Sequence, residues 1–302
     1  MDNLQKFIDD MNNWGWTVNA RIKFNKFLDA IELESGLVKE VQSILSIIDD
    51  IVLDKERGQF ETSLTAGMEF YRARIIEPLD YDNPGKGIGI TEDNKFEGYD
   101  ASNSREPLLG IAGEGRNNIA GASYLYVASN PETACMEIKS QFGDLISLAK
   151  FKLLKPLYVI DFGSEKTFFK TETEHYGLSM GKLFTLLMMQ FTQPVREKNA
   201  YRATQIVADH LRKTGIDGIK YKSFLSPAGM NYTFFNCHDQ KIEFCGSKVL
   251  LHKQANHSFC DLNDEIAIMS NKKKIMLDYD RKWAEKIKQD LSQNFKKKPK
   301  EY

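Results

Sequence analysis

The chain has 302 residues, which is enough for one large domain, or two modest ones, with a substantial buried core. Its 41 basic and 42 acidic residues leave a net charge of −1, so the overall charge attracts neither nucleic acid nor an anionic membrane. Because the sequence shows no run of eighteen apolar residues and no secretion signal, we expect a cytoplasmic protein that does not associate with membranes.

The N-terminal part of the chain has helical periodicity. Residues 37–53 carry apolar side chains at steps of three and four, which predicts an amphipathic helix, and residues 4–35 share the pattern. We expect residues 1–66 to be a helical extension that precedes a first strand at 68–76. The apolar stripe of the 37–53 helix needs a covering surface. A helix predicted at 272–298 is the favoured cover, and self-association into a homo-oligomer comes next.

A loop-rich stretch, a strand and a helix follow in the middle of the chain. Residues 78–112 are rich in Asp, Asn, Gly and Pro and predict a long loop, whereas Ser123–Ala128 is an apolar and aromatic run of strand length. Asn130 or its neighbour Ser129 is a good N-cap, so residues 133–141 should form a helix. Glu137 would lie at the border of the buried stripe of this helix, where a carboxylate is partly desolvated. The stripe consists of Ala134, Ile138 and Phe142.

The remaining segments alternate between strands and helices, and together with the preceding elements they indicate an α+β fold. A glycine at position 215 suits the end of the last helix. The predicted strands are 146–151, 157–161, 218–221 and 232–235, and the predicted helices are 182–191 and 200–214.

The C-terminal end has a different composition. From Lys272 to Lys300 there are eleven basic and four acidic residues, with apolar side chains at every fourth position from Trp283 to Phe295. This pattern predicts a basic amphipathic helix within an extension of residues 251–302. The helix either packs its apolar stripe on the N-terminal helices, which is the more ordinary arrangement, or docks onto nucleic acid or an acidic partner. Nucleic acid is not expected as a partner of the chain as a whole.

No pattern in the sequence indicates a metal site. The four cysteines form no Cys-x-x-Cys pair and have no histidine at the spacing of a zinc site. Walker-type glycine loops and His-Glu-x-x-His motifs are also missing. We therefore expect reduced thiols, as in the cytoplasm, and no bound metal.

Three separated segments, 70–74, 113–138 and 221–235, carry a more specific pattern. They contain a Phe-Tyr-Arg strand, then a Gly-Arg before a Leu-Tyr strand and a Pro-Glu-Thr-Ala helix, and finally a Tyr-x-Ser loop with an asparagine before an apolar strand. In this order and at this spacing the segments resemble the RES domain, a family named for an arginine, a glutamate and a serine. The resemblance covers about residues 67–250. Lys222 departs from it, because proline is usual at that position.

The resemblance implies the fold of an ADP-ribosyltransferase and an enzyme that degrades NAD, commonly as the toxin of a toxin–antitoxin pair. The family pattern assigns the arginine to Arg72. The strand alternation alone cannot choose, because Arg72 and Arg74 lie on the same face of a regular strand. The glutamate is Glu137, which would stabilise the cationic ribose as neutral nicotinamide leaves. Ser223 would contact a ribose or phosphate. The other implied site residues are Arg116 at the pyrophosphate, Tyr126 against the nicotinamide ring and Asn231 in a supporting role.

Several possible activities differ only in the molecule that accepts the ADP-ribosyl group. We favour inorganic phosphate, and thus an NAD phosphorylase, because Arg72, Arg116 and Lys222 could hold a free phosphate beside the pyrophosphate. A protein ADP-ribosyltransferase and an NAD glycohydrolase are alternatives of the same class. A catalytically inactive nucleotide-binding module that acts as an interaction protein is an alternative of another class. The expected partners are thus NAD as substrate, inorganic phosphate and a cognate antitoxin.

Overall fold

The computed structural model describes residues 17–31, 38–53, 61–76, 89–90, 96–163, 174–175, 178–193, 201–226, 228–236 and 240–253. These residues form one large mixed sheet with helices against it, so the predicted α+β class is confirmed. The basic helix predicted at 272–298 lies outside the described residues. The helices are α1 (17–31), α2 (Val38–Leu53), α3 (Ala101–Ser104), α4 (Pro131–Glu137), α5 (Met180–Thr192) and α6 (Arg202–Lys213).

Twelve strands are described. Eight of them form the main sheet in the order β1-β7-β10-β11-β5-β2-β6-β12, and two small sheets pair β3 with β4 and β8 with β9. The strands are β1 (Glu61–Leu64), β2 (Glu69–Ile75), β3 (Gly89–Ile90), β4 (Phe96–Glu97), β5 (Leu125–Ala128), β6 (Leu145–Leu153), β7 (Leu157–Asp161), β8 (Glu174–His175), β9 (Leu178–Ser179), β10 (Gly218–Lys222), β11 (Met230–Phe234) and β12 (Ile242–Leu251).

The main sheet departs from continuous antiparallel pairing at two places. β7 and β10 pair in parallel across a connection that contains α5 and α6, whereas the other registered pairs are antiparallel. β2 and β5 share only one registered pair, Tyr71 with Ala128. β2 continues instead along β6 for seven residue pairs. The sheet therefore opens between β5 and β2.

Apolar side chains form a separate core on each face of the sheet. The helix-side core joins α1 and α2 to α5, α6 and β10, and it includes Phe24, Ile48 and Ile219. The buried members of the strand-side core come from strands alone, with Leu64 of β1 and Ile242 of β12 in one cluster. Because β1 and β12 stand at opposite ends of the strand order, the sheet must curve around this second core.

The N-terminal prediction agrees with the structure in part. α2 covers Val38–Leu53, as the periodicity predicted, and Ile44, Ile47 and Ile48 of its stripe are buried in the helix-side core. β1 at Glu61–Leu64 was not predicted, because four residues give too short an alternation to recognise. It pairs with β7, so a part of the expected helical extension belongs to the main sheet. The domain boundaries at residues 66 and 250 stay predictions.

Three further regions differ from the sequence analysis. Asn130 caps α4 through its side chain as expected, but the helix ends at Glu137 because Lys139 adopts a left-handed backbone with φ of 51°. Phe142 consequently leaves the predicted stripe and is 78% exposed. β12 was missed because a bulge between Phe244 and Ser247 interrupts its alternation. The expected loop at 78–112 contains β3, β4 and the single turn of α3.

The shared helix-side core predicts that α2 contributes strongly to stability. Ile48 in α2 is 1% exposed, whereas Ile22 in α1 is 49% exposed. Ile48→Ala should lower the free energy of unfolding by about 2 to 5 kcal/mol, since it leaves a cavity in a packed cluster. Ile22→Ala is the matched control and should change it by about 0.5 kcal/mol or less. Urea denaturation measures both, and equal values would show that α2 does not pack on the sheet.

Candidate active site

One row of side chains crosses the sheet at the point where it opens. The registers pair Tyr71 with Ala128, Ala128 with Asn231, and Asn231 with Tyr221, across β2, β5, β11 and β10. Residues opposite each other in antiparallel strands point to the same face, which here is the face that carries α4. The small side chain of Ala128 leaves a space between its larger neighbours. This row lines a cavity.

The cavity has a volume of about 140 Å³ and is bounded by β2, β5, β10, β11 and α4. Cavities that enclose a drug-sized ligand measure about 300 to 1,000 Å³. The space is therefore large enough for one ring or one sugar, and the remainder of a dinucleotide would extend beyond it. Arg72, Tyr126, Glu137 and Asn231, four of the residues predicted from the sequence, line this cavity.

Two hydrogen bonds to a single oxygen fix the carboxylate of Glu137. Ser223 Oγ donates to Glu137 Oε1 at 2.6 Å, and Asn231 Nδ2 donates to the same atom at 2.7 Å. Within the described residues Oε2 accepts no hydrogen bond, so it is free to receive one from a ligand. The side chain as a whole is exposed, not at a buried border as predicted, because α4 ends at Glu137.

The loop between β10 and β11 holds Ser223 in place. Ser223 Oγ accepts a hydrogen bond from the backbone N–H of Ser226 at 3.1 Å, and Thr133 of α4 donates to Ser226 Oγ at 3.1 Å. Gly229 allows this contact, since a Cβ at that position would lie 2.2 Å from Thr133 Oγ1. The loop thus packs against the helix that carries Glu137. Ser223 was expected to contact the ligand, but its resolved contacts support the carboxylate.

The phenol of Tyr126 is fixed by the glycine loop that precedes β5. Its hydroxyl donates to Asn118 Oδ1 at 2.7 Å and accepts from the backbone N–H of Asn117 at 3.0 Å. Burial raises the pKa of Tyr126 well above its ordinary value, so the side chain is neutral. Gly115 lies against this phenol, where a Cβ would be 2.9 Å from the hydroxyl and 2.5 Å from Asn118 Oδ1.

Arg72 and Arg74 have different surroundings. The Nη1 of Arg72 donates to the backbone carbonyls of Ser104, at 3.0 Å, and of Arg105, at the end of α3. Burial lowers the pKa of Arg72 to about 10, so it remains charged at neutral pH. Arg74 is exposed, donates to the carbonyl of Asn103 and does not line the cavity. Arg72, the residue chosen by the family pattern, thus lines the cavity and Arg74 does not, and a role of Arg72 in binding stays a prediction.

Arg116 is not among the residues that line the cavity. Its Nη1 donates to the carbonyl of Gln190 at 3.1 Å, and its guanidinium lies 5.0 Å from the ring centroid of Tyr201. These contacts attach the glycine loop to α5 and to the start of α6. A role of Arg116 at a pyrophosphate stays a prediction, and its observed contacts are those of a structural residue.

Sequence reasoning missed several residues of the site, and three of them show why. Tyr71 and Tyr221 line the cavity, and Asn118 holds the hydroxyl of Tyr126. Both tyrosines lie within the motif segments. The strands that each side chain meets across the sheet depend on strand register, which periodicity does not predict. Asn118 follows the Gly-Arg pair, and nothing in the sequence distinguishes it from an ordinary loop asparagine.

No helix within the described residues is long and apolar enough to cross a membrane. The described residues also contain no group of three or more His, Cys, Asp or Glu side chains that could hold a metal ion.

The curved sheet, its helix layer and the cavity define an α+β protein with a candidate ligand site where its sheet opens. Residues 97–246 match the model of the RES domain. This part of the chain is a RES domain, as its motifs predicted. The match includes Glu137, Tyr126 and Ser223, whereas Arg72 precedes it.

One solved structure with a similar chain is described as "Crystal structure of the M.tuberculosis MbcT-MbcA toxin-antitoxin complex". The similarity covers 63% of this chain and 87% of that chain, with 12% identity and a TM-score of 0.34. No curated protein matches the chain.

The contact between Gly115 and Tyr126 yields a prediction about the glycine loop. Gly115→Ala should lower the free energy of unfolding by about 1 to 3 kcal/mol, because the added methyl group overlaps Asn118 and the phenol. Gly113→Ala is the matched control, since a Cβ there meets nothing within 4 Å. It should change stability by less than about 1 kcal/mol. Urea denaturation of both variants decides, and a neutral Gly115→Ala would mean that the loop does not fix Tyr126.

Proposed function

We propose that the chain is an NAD-degrading enzyme that cleaves the bond between nicotinamide and ribose, with inorganic phosphate as the acceptor. The observation that carries the proposal is the carboxylate of Glu137, which Ser223 and Asn231 hold at the edge of a cavity that also contains Arg72. A fixed carboxylate and a fixed cation at one ring-sized space suit a ligand that develops positive charge and carries phosphates.

The chemistry needs charge stabilisation more than proton transfer. Nicotinamide leaves as a neutral molecule, so no general acid is required, and the barrier lies in the positive charge that develops on the ribose. Glu137 would meet that charge through hydrogen bonds from the ribose hydroxyls to Oε2. Because Ser223 and Asn231 already hold Oε1, the carboxylate is oriented before the reaction and little reorganisation is needed.

Arg72 and Tyr126 would place the pyrophosphate and the nicotinamide ring on either side of the ribose. A guanidinium can form paired hydrogen bonds with phosphate oxygens, and the backbone carbonyls behind Arg72 fix its direction. Tyr126 would form a wall for the nicotinamide ring, because its hydroxyl already donates one hydrogen bond to the glycine loop and accepts another from it. These roles fit the family resemblance of the motif segments.

Phosphate remains the favoured acceptor because a cation already lies at the cavity. Arg72 could hold an inorganic phosphate next to the pyrophosphate, whereas the motif segments present no evident docking face for a protein substrate. Water would give a glycohydrolase instead, and a protein side chain would give an ADP-ribosyltransferase. With a RES domain, the enzyme would act as a toxin, and a cognate antitoxin would then be its protein partner.

An inactive nucleotide-binding module is the alternative of another class. The intact hydrogen bonds around Glu137 argue against it, because a module that only binds has no need to orient a carboxylate.

Glu137→Gln should lower NAD consumption by about a hundredfold or more, which corresponds to about 2.7 kcal/mol of barrier. The variant keeps the shape of the side chain and removes the charge that would stabilise the ribose cation. Loss of NAD by the purified protein, followed over time, is the measurement. Circular dichroism should show an unchanged fold.

Glu132→Gln is the matched control for this test. Glu132 is exposed in the first turn of the same helix and lies outside the cavity lining. Its substitution should change turnover by less than about twofold, since it only removes a charge near the helix N-terminus. A decrease of less than tenfold for Glu137→Gln would exclude Glu137 as the stabilising group. Absence of NAD loss in the unmodified protein would favour the inactive module.

The acceptor can be identified from the products. NAD loss should accelerate as inorganic phosphate is added and should yield nicotinamide and phosphorylated ADP-ribose in equal amounts, as mass spectrometry of the small molecules would show. A rate that does not depend on phosphate, with free ADP-ribose as product, would indicate a glycohydrolase. Labelled ADP-ribose on a protein band would indicate a transferase.

A further inference from the structure

The loop between β10 and β11 touches α4 at two points on one face of the helix. Ser223 Oγ donates to Glu137 Oε1 at 2.6 Å, and Thr133 Oγ1 donates to Ser226 Oγ at 3.1 Å. Thr133 and Glu137 are four positions apart in α4, so their side chains are neighbours one turn apart. The loop is therefore attached to the helix at both ends of this turn, and Glu137 is only one of the two attachments.

Thr133 is the fixed end of this arrangement. Its side chain is fully buried, and its backbone N–H donates to the capping side chain of Asn130 at 2.8 Å. A β-branched side chain in a helix also has few rotamers, so the hydroxyl has a defined direction. Thr133 does not line the cavity, and a ligand in that space would not touch it. Its hydroxyl therefore serves the loop and not a ligand.

Hydrogen bonds inside the loop connect this anchor to Ser223. The backbone N–H of Ser226 donates to Ser223 Oγ at 3.1 Å. The N–H of Ser223 donates to the carbonyl of Gly229, and the N–H of Gly229 donates to the carbonyl of Ser226, each at 2.9 Å. Both serines are buried, so water does not easily replace a bond that is lost. A displacement of Ser226 would consequently move Ser223 as well.

We propose that Thr133 is a positioning residue for the carboxylate of Glu137 and acts through Ser226 and Ser223. The inference rests on the proposed function and adds to it a residue that touches neither the cavity nor the carboxylate. Because Ser223 Oγ accepts from Ser226, the direction in which it donates to Glu137 is restricted. Loss of the Thr133 hydroxyl releases Ser226 from the helix, and a less restricted carboxylate stabilises a developing positive charge less well.

Thr133→Val keeps the shape of the side chain and removes the hydroxyl. It should lower kcat for NAD cleavage about 5- to 10-fold, as expected for one lost hydrogen bond. KM should stay within about twofold, because the carboxylate acts on charge that develops after binding. Thr133→Ser keeps the hydroxyl and should restore most of kcat. Initial rates of nicotinamide release over a range of NAD concentrations measure both constants. An unchanged kcat in Thr133→Val, or no recovery in Thr133→Ser, contradicts the inference.

Thr204→Val is the matched control for a general loss of stability. Thr204 is the third residue of α6, as Thr133 is of α4, and it is also buried. Its hydroxyl donates to the carbonyls of Arg116 and Tyr201, and it does not line the cavity. Its substitution should change kcat by less than about twofold, although it too removes a buried hydrogen bond. Equal losses of kcat in the two valine variants would reduce Thr133 to a purely structural residue.

A double substitution tests the path through Ser223. If Thr133 acts on Glu137 through this serine, Thr133→Val should have no further effect on kcat once Ser223→Ala is in place. Thr133→Val and Ser223→Ala are therefore compared singly and together. Losses that simply multiply would show that the two residues act independently, and the inference would be wrong.

The carboxyl carbon resonance of Glu137 provides a test that does not require turnover. In protein with 13C-labelled glutamate it is the resonance that disappears in Glu137→Gln. It should move in Thr133→Val toward its position in Ser223→Ala, and it should not move in Thr204→Val. An unmoved resonance in Thr133→Val would overturn the inference and leave the proposed function standing. If the unmodified protein consumes no NAD, the proposed function fails, and this resonance still decides whether Thr133 positions Glu137.

Discussion

One carboxylate oxygen connects three parts of the chain that are distant in sequence. Glu137 Oε1, at the end of α4, accepts from Ser223 in the loop after β10 and from Asn231 in β11. The end of a helix carries partial negative charge, which makes this an unfavourable place for a glutamate without donors. The two hydrogen bonds compensate for it and hold the group in one direction. The loop, the helix end and the strand must therefore all be in place before the site exists.

The space next to this carboxylate results from the way the sheet is built. β2 leaves β5 after one registered pair and follows β6 for seven, so the strands separate just where Ala128 leaves a gap. A fully paired sheet would close this region with backbone hydrogen bonds and side chains. The strand-side core contains residues from both parts of the sheet, such as Val127 of β5 and Phe151 of β6, and packs the two parts together. Packing thus keeps the opening rigid enough for a positioned ligand site.

Hydrogen-bond partners within the protein hold both charged side chains at the cavity. The carbonyls at the end of α3 accept from Arg72, which also satisfies backbone acceptors that a helix end leaves unpaired. The hydroxyls of Tyr71 and Tyr126, two of the lining tyrosines, are held in hydrogen bonds within the protein. Charge and aromatic surface are consequently arranged before a ligand arrives, which is the condition under which electrostatic stabilisation is most effective.

The sequence by itself predicted the fold class, six of the eight strands of the main sheet and most of the described helices, and it named the residues proposed for the site. Apolar periodicity is a local property, and it placed α2, α5, α6 and the strands β5, β6, β7 and β10 within a few residues. The motif order named Glu137 and Ser223, and the structure joins these two side chains by a hydrogen bond. Short or interrupted elements, such as β1 and β12, gave too little alternation to be recognised.

Only the tertiary structure decided which residues of the motif segments lie together at the cavity. It placed Arg72 at the cavity and Arg116 against Tyr201, although both arginines stand in motif segments. It also brought Tyr71 and Tyr221 into one row, which depends on the register of four strands. Register and side-chain partners arise from contacts between residues far apart in the chain. The local sequence around each residue cannot contain that information, because the partner that decides its role lies elsewhere in the chain.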